Sequence, residues 1–168
     1  MRKDISATYF LGRHIMGIRE YLDKNGVYYT LSAHEPSFTA QQVAASEHEP
    51  GRFVAKPVIV KADGKYVMCV LPACSKIDMD ALKHQINCKK AAIADEWEIA
   101  GLFEDCELGA EPPFGNLYNM ETVMDKSLQK DDHIVFQGGT HQDAIHMGMK
   151  DYLKLAQPKV LEFSYRMS

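Results

Sequence analysis

The chain has 168 residues, 46% hydrophobic and 25% charged, an ordinary globular composition that excludes disordered and fibrous classes. Its 19 Lys and Arg against 23 Asp and Glu leave a net charge of −4. That argues against a protein that coats nucleic acid through broad phosphate contacts, though not against a small positive cleft gripping one RNA end.

No apolar run is long enough to span a bilayer, and no apolar signal core follows the basic start. The expected compartment is the cytoplasm. Cys69, Cys74, Cys88 and Cys106 form no C-x-x-C pair and no zinc spacing, so they read as free thiols.

Leu11, Ile15, Ile18 and Leu22 recur at helical spacing until Gly26 ends the pattern, giving a first amphipathic helix. Val27, Tyr29 and Leu31 alternate as a strand. Thr39 and Gln42 form a capping box, so a short helix starts there and ends before Pro50. Residues 53–61 and 65–71 are two strands joined at Ala62-Asp63-Gly64, a strong hairpin signal. Asp78 caps a helix bearing Met79, Leu82 and Ile86. Ala91-Ala92-Ile93-Ala94 reads as a buried strand. Asp95 with Glu98 caps a helix containing Trp97, Ile99 and Leu102. After a loop from Asp105 to about Asn116, strands are predicted near 120–124, 132–137 and 143–148. A last helix near 150–156 stops before Pro158, and Val160–Phe163 is an edge strand or extended tail. Strands and helices mix without strict alternation, so the class is α+β with a mixed sheet in one domain, 1–168.

Three segments offer chemistry. Lys56 sits mid-strand among apolar residues of both parities, and lysine is almost never fully buried without a partner. Either it snorkels to the surface along its stem, or it points into a cleft and holds an anion. Gly109-Ala110-Glu111-Pro112-Pro113-Phe114-Gly115 is a stiff loop whose N–H groups could hold an oxyanion; it could equally be a rigid surface turn. Gly138-Gly139-Thr140-His141 follows a strand, where glycines admit a ligand close to the backbone, or simply make a hairpin turn.

No G-x-S-x-G elbow, H-E-x-x-H helix or Walker loop is present. His141 and His146 are five apart, which on a strand points them to opposite faces. His34 and His48 flank the second helix and read as cleft-lining or surface histidines. Cys69 lies in a buried-looking strand that raises its thiol pKa and makes it inert. What emerges is a cleft with a lysine, two glycine loops and a histidine, but no evident nucleophile or metal.

Read in order, Thr39-Ala40-Gln41-Gln42-Val43-Ala44, Gly51-Arg52-Phe53-Val54-Ala55-Lys56, Val67-Met68-Cys69-Val70-Leu71-Pro72-Ala73, the Gly109–Gly115 loop and Gly138–His141 resemble the YbaK/prolyl-tRNA synthetase-associated domain family. Ala144-Ile145-His146-Met147 and Asp151-Tyr152-Leu153 continue the match, which spans about 27–156 and leaves 1–26 as a helical extension. The resemblance implies a partly open six- to seven-stranded barrel with surrounding helices. It implies an aminoacyl-tRNA deacylase that trans-edits a mischarged small amino acid, of Cys-, Ala- or Ser-tRNA type, without cofactor or metal.

The family's near-invariant lysine falls on Lys56, its G-x-x-x-P loop on Gly109 and Pro113, and its histidine on His141. These three segments carry the implied catalytic set Lys56, Gly109 and His141. Pro113, Phe114, Gly138, Gly139, Thr140 and His34 are the implied substrate-binding residues. In the family a water, a ribose hydroxyl or the substrate's own thiol attacks, so no enzyme nucleophile is needed. The implied partners are a mischarged tRNA acceptor end and an aminoacyl-tRNA synthetase, with a monomer or weak homodimer expected. Pro57, where many members carry a non-proline residue, predicts an edge or bulge beside the lysine. A non-catalytic binding module and a small-ester hydrolase are the readings from other classes.

Overall fold

Asp63 and Gly64 both take positive φ, +48° and +86°, the conformation a two-residue hairpin loop requires. They join β2 (Ala55–Ala62) to β3 (Lys65–Pro72), which pair antiparallel along their whole length. This is a computed structural model, and it describes residues 16–167. The hairpin is the spine of a five-stranded mixed sheet. β5 (Ala91–Ile93) pairs antiparallel with the end of β2; β6 (Glu121–Asp125) lies parallel to β3, and β9 (Lys159–Leu161) parallel to β6. A second, antiparallel sheet runs β1 (Tyr29–Ala33), β8 (Asp143–Gly148), β7 (His133–Gln137). β4 (Ser75–Ile77) and β10 (Ser164–Arg166) make a two-stranded ribbon. The two larger sheets are joined by a parallel bridge, Val54 to Val135, and among the described residues no barrel closes.

The helices are α1 (Ile18–Lys24), α2 (Ala40–Ser46), α3 (Met79–Ile86), α4 (Glu96–Leu102) and α5 (Met149–Ala156). Both capping boxes read from the sequence are formed, Thr39 with Gln42 and Asp95 with Glu98. Of the predicted first helix, Ile18 and Leu22 are buried on α1, whereas Leu11 and Ile15 lie outside the described residues. The two parities of β2 serve two cores. Ala55 and Ile59 join Met68, Phe114, Phe136 and Tyr152, while Val58 and Val60 join Cys69, Leu71, Leu82 and Phe163 on the opposite face. Cys69 is buried there and its thiol is pushed up to about 12 by desolvation.

One strand prediction needs correcting. Ala91–Ile93 is a strand but not a buried one: Ile93 is 61% exposed. β5 pairs only with β2 and closes the sheet as an edge, so a continuous apolar run here does not mean two covered faces. The three-residue strand β4 was too short to carry a periodic signal. The tail does form strands, and one side chain reinforces their pairing. Buried Asp125 accepts the N–H groups of Phe163 (2.9 Å) and Ser164 (3.0 Å) as well as the Ser127 hydroxyl (2.6 Å). Asp125→Ala would leave those buried donors unpaired, an expected loss of about 2–4 kcal/mol. Differential scanning calorimetry should show a melting temperature lowered by about 4–16 °C; an unchanged midpoint would remove Asp125 as the anchor.

Candidate active site

From Val60 onward β2 has β5 on its outer side; before it, at Pro57, no strand among the described residues pairs there. Pro57 therefore occupies an open edge, as its missing N–H demands. The edge faces a small cleft where β2 and β7 separate beyond the Val54–Val135 bridge. Val54 to Pro57 form one wall, Ala40 and Val43 of α2 another; Gly109, Glu111 and Gln137 complete it. Gln137 is held by its amide, which donates to the Ser37 carbonyl at 2.6 Å.

Lys56 is half-buried on this wall. Among the described residues no carboxylate pairs with it, and no hydrogen bond holds its ammonium. Burial pushes its pKa below the ordinary lysine value; Cys74 opposes that shift and the like charge of Lys76 adds to it. Lys56 thus lines a cleft rather than an open surface. A desolvated, unpaired cation in a concave site is an anion-binding feature.

The loop from Glu107 to Gly115 is tied down at every turn. Gly109 takes φ +89° and donates its N–H to Glu111 Oε2 at 2.7 Å. Gly139, at φ +99°, donates to the Ala110 carbonyl (2.9 Å), and Glu107 N–H to the Gly139 carbonyl (2.8 Å), so the two glycine loops are stitched together. Gly138 N–H goes to the Asp143 carbonyl. The oxyanion role that the sequence offered these N–H groups is therefore filled internally. At the far end Gly115 leaves no room for a side chain: a Cβ there would lie 2.5 Å from Thr122 Oγ1.

Glu111 is buried, 5% exposed, and burial raises its carboxyl pKa; the Gly109 N–H and its own N–H, then His141, pull the other way.

The remaining sequence candidates scatter. His141 packs against the cleft loop: a Cβ on Gly109 would sit 3.5 Å from its Cε1. Its Nε2 lies 2.8 Å from the Leu108 carbonyl and its Nδ1 3.2 Å from that of Ser37, so the ring braces two loops. It is not on a strand, so the opposite-face argument with His146 does not apply to it. Exposed Phe38 stacks on it with centroids 4.7 Å apart. Thr140 closes its own turn on Asp143 at 2.8 Å. Gly138 and Gly139 border a separate hollow of about 210 Å³ with Asp105, Cys106 and Tyr118. His34 Nδ1 contacts the Glu35 carbonyl, and its Nε2 is buried without a hydrogen-bond partner among the described residues.

Pro113 and Phe114 are scaffold. The Pro113 carbonyl accepts the buried Tyr152 hydroxyl at 2.7 Å. The Phe114 ring is fully buried against Tyr21, Phe136 and Tyr152. So the structure brings Lys56 and Gly109 into one cleft with His141 behind them, and places the other six candidates elsewhere.

Sequence reasoning missed Glu111 and Gln137. Both carried a signal: Glu111 is the lone charge in a stiff apolar loop, and Gln137 is polar at the end of an otherwise apolar strand run. A wider hollow of about 390 Å³, bordered by Arg52, Cys74, Asp125, Asp131 and Arg166, holds none of the sequence candidates.

The model of the aminoacyl-tRNA editing domain matches residues 34–155. The multifunctional Ser/Thr-tRNA deacylase ProXp-y of Escherichia coli strain K12 is 30% identical over 114 residues, 65% of this chain and 68% of that protein. A crystal structure of a hypothetical protein superposes with a TM-score of 0.79 at 19% identity, covering 88% of this chain and 99% of the other. A protein proposed as a trans-editing enzyme for prolyl tRNA synthetase superposes at 0.76 and 16% identity, covering 88% and 94%. At those identities the two crystal structures speak for the fold alone.

Proposed function

This chain belongs to the aminoacyl-tRNA editing domain family, and from that premise we propose that it is a trans-editing deacylase releasing a small amino acid from a mischarged tRNA, with the cleft at Lys56 as its active site. The observation that carries this is the half-buried Lys56 ammonium beside the Gly109 loop, without an ion-pair partner among the described residues. Lys56 holds the terminal adenosine's phosphate or the ester carbonyl, where a fixed positive charge favours the developing oxyanion. A water or a ribose hydroxyl attacks, so the protein contributes position and electrostatics. His141, wedged between the Leu108 and Ser37 carbonyls, keeps the Gly109 loop in place against the β1–α2 segment.

Threonine joins cysteine, alanine and serine as candidate amino acids, because the Escherichia coli relative is named for Ser- and Thr-tRNA. Discrimination by size alone is worth only about 1–3 kcal/mol per methylene, which is why a second sieve after charging is useful. The partly open barrel belongs to the same proposal: the Val54–Val135 bridge is its seam between the two larger sheets. A synthetase partner and a cytoplasmic setting complete it. No helix among the described residues is long and apolar enough to cross a membrane.

The test against a small-ester hydrolase compares an aminoacyl-tRNA with the ethyl ester of the same amino acid. Selective cleavage of the tRNA ester, weakened by added salt, supports the proposal. Equal cleavage of both, insensitive to salt, overturns it.

A further inference from the structure

Among the residues that line the Lys56 cleft there is one cation and one anion, Lys56 and Glu111, and no ion pair joins them. Two opposite charges that share a cleft without neutralising each other suit a ligand that carries both signs. Glu111 is the less expected of the two. A buried carboxylate is costly unless it is paired. This one has the Gly109 N–H on Oε2, but among the described residues no lysine or arginine pairs with it.

The reading of the cleft as an aminoacyl-tRNA site, on which this step rests, supplies a ligand of that kind. An aminoacyl ester on a terminal adenosine presents an α-ammonium two bonds from the ester carbonyl carbon, with carbonyl and phosphate oxygens on the other side. We propose that Glu111 binds the α-ammonium group of the aminoacyl ester while Lys56 holds its oxygen side. Because Glu111 is buried and Lys56 half-buried, such a charge–charge contact is stronger there than at a surface. The pair would set the direction in which the ester lies and would restrict the site to esters with a free amine. The Gly109 N–H contact gives Glu111 a second task, bracing the positive-φ turn, and the test must separate the two. Glutamine does this: its amide oxygen still accepts the Gly109 N–H, but its charge is gone.

The probe is the aminoacyl-tRNA that wild type cleaves best, together with the same tRNA N-acetylated on its amino acid, which is neutral at that nitrogen. Wild type is expected to cleave the acetylated ester about 10- to 100-fold more slowly in kcat/KM, the range for a charged hydrogen bond. Glu111→Gln is expected to lose the same factor on the free-amine ester, and to lose little more on the acetylated one, because the two changes remove one contact. Wild type cleaving both esters equally overturns the proposal without any variant. Glu111→Gln slowing both equally also overturns it, since that is the behaviour of a loop brace. Should Glu111→Gln unfold, Glu111→Asp keeps the charge and must keep the preference for the free amine; losing that preference counts against the proposal. If wild type releases nothing from any unmodified aminoacyl-tRNA, the deacylase reading itself fails and takes this inference with it.

Discussion

Lys56→Ala is expected to lower kcat/KM for aminoacyl-tRNA deacylation by about 10²–10³-fold, the cost of deleting one preorganised group that stabilises an oxyanion. Folding should not suffer. Half-burial already disfavours the charged form of Lys56, and among the described residues no hydrogen-bond or ion-pair partner loses a contact when the ammonium goes. Removing an unpaired, partly desolvated charge is neutral or stabilising, in contrast to breaking a buried pair. Stopped deacylation with an unchanged melting temperature is therefore the expected combination. Lys56→Arg is a sharper control: it keeps the charge but replaces a compact ammonium with a broad planar fork in a narrow cleft, so recovery should be partial at best. Deacylation at the wild-type rate in Lys56→Ala would remove this lysine, and with it this cleft, from the chemistry.

Phe114→Ala should produce the opposite pattern. The ring is fully buried, with edge contacts to Tyr21 at 6.0 Å, Phe136 at 5.7 Å and Tyr152 at 5.1 Å between centroids. Truncating such a ring costs about 3–5 kcal/mol, transfer and cavity together. For a chain of this size that is a melting temperature lower by about 6–20 °C. Phe114→Leu keeps most of the volume and should cost less, while selectivity among aminoacyl-tRNAs stays that of wild type. A Leu variant with unchanged stability and altered selectivity would put Phe114 in the substrate pocket after all.

The contrast between these two residues shows how far the sequence could be read. Lys56 was legible because a charge in a two-faced apolar strand is an exception to burial statistics, and exceptions point to sites. Phe114 sat in the same conspicuous loop as Gly109, but one residue of a loop can line a cleft while its neighbour turns into the core. Only the tertiary path of Glu107–Gly115 decides which, and no local period reveals it. The same limit explains Gly138 and Gly139. Their turn was correctly placed after β7, yet their N–H groups are spent on Ala110 and Asp143, a cross-loop pairing invisible to spacing.

Local rules did better on the frame. The capping boxes at Thr39 and Asp95, the Asp63-Gly64 hairpin and the edge at Pro57 all rest on chemistry within a few residues, and all are present. β5 failed at burial rather than at strand type, because an edge position is a property of the sheet. Asp125 gave no signal: its partners Phe163 and Ser164 are 38 and 39 residues away in the chain.

The most direct measurement is release of amino acid from 3′-labelled Cys-, Ala-, Ser-, Thr- and Pro-tRNA by the wild-type protein. Rapid release confined to one or a few of the small amino acids is the expected result, and it names the substrate. No release from any of them, with the acceptor end still bound, would contradict a deacylase and leave a binding module built on the same cleft.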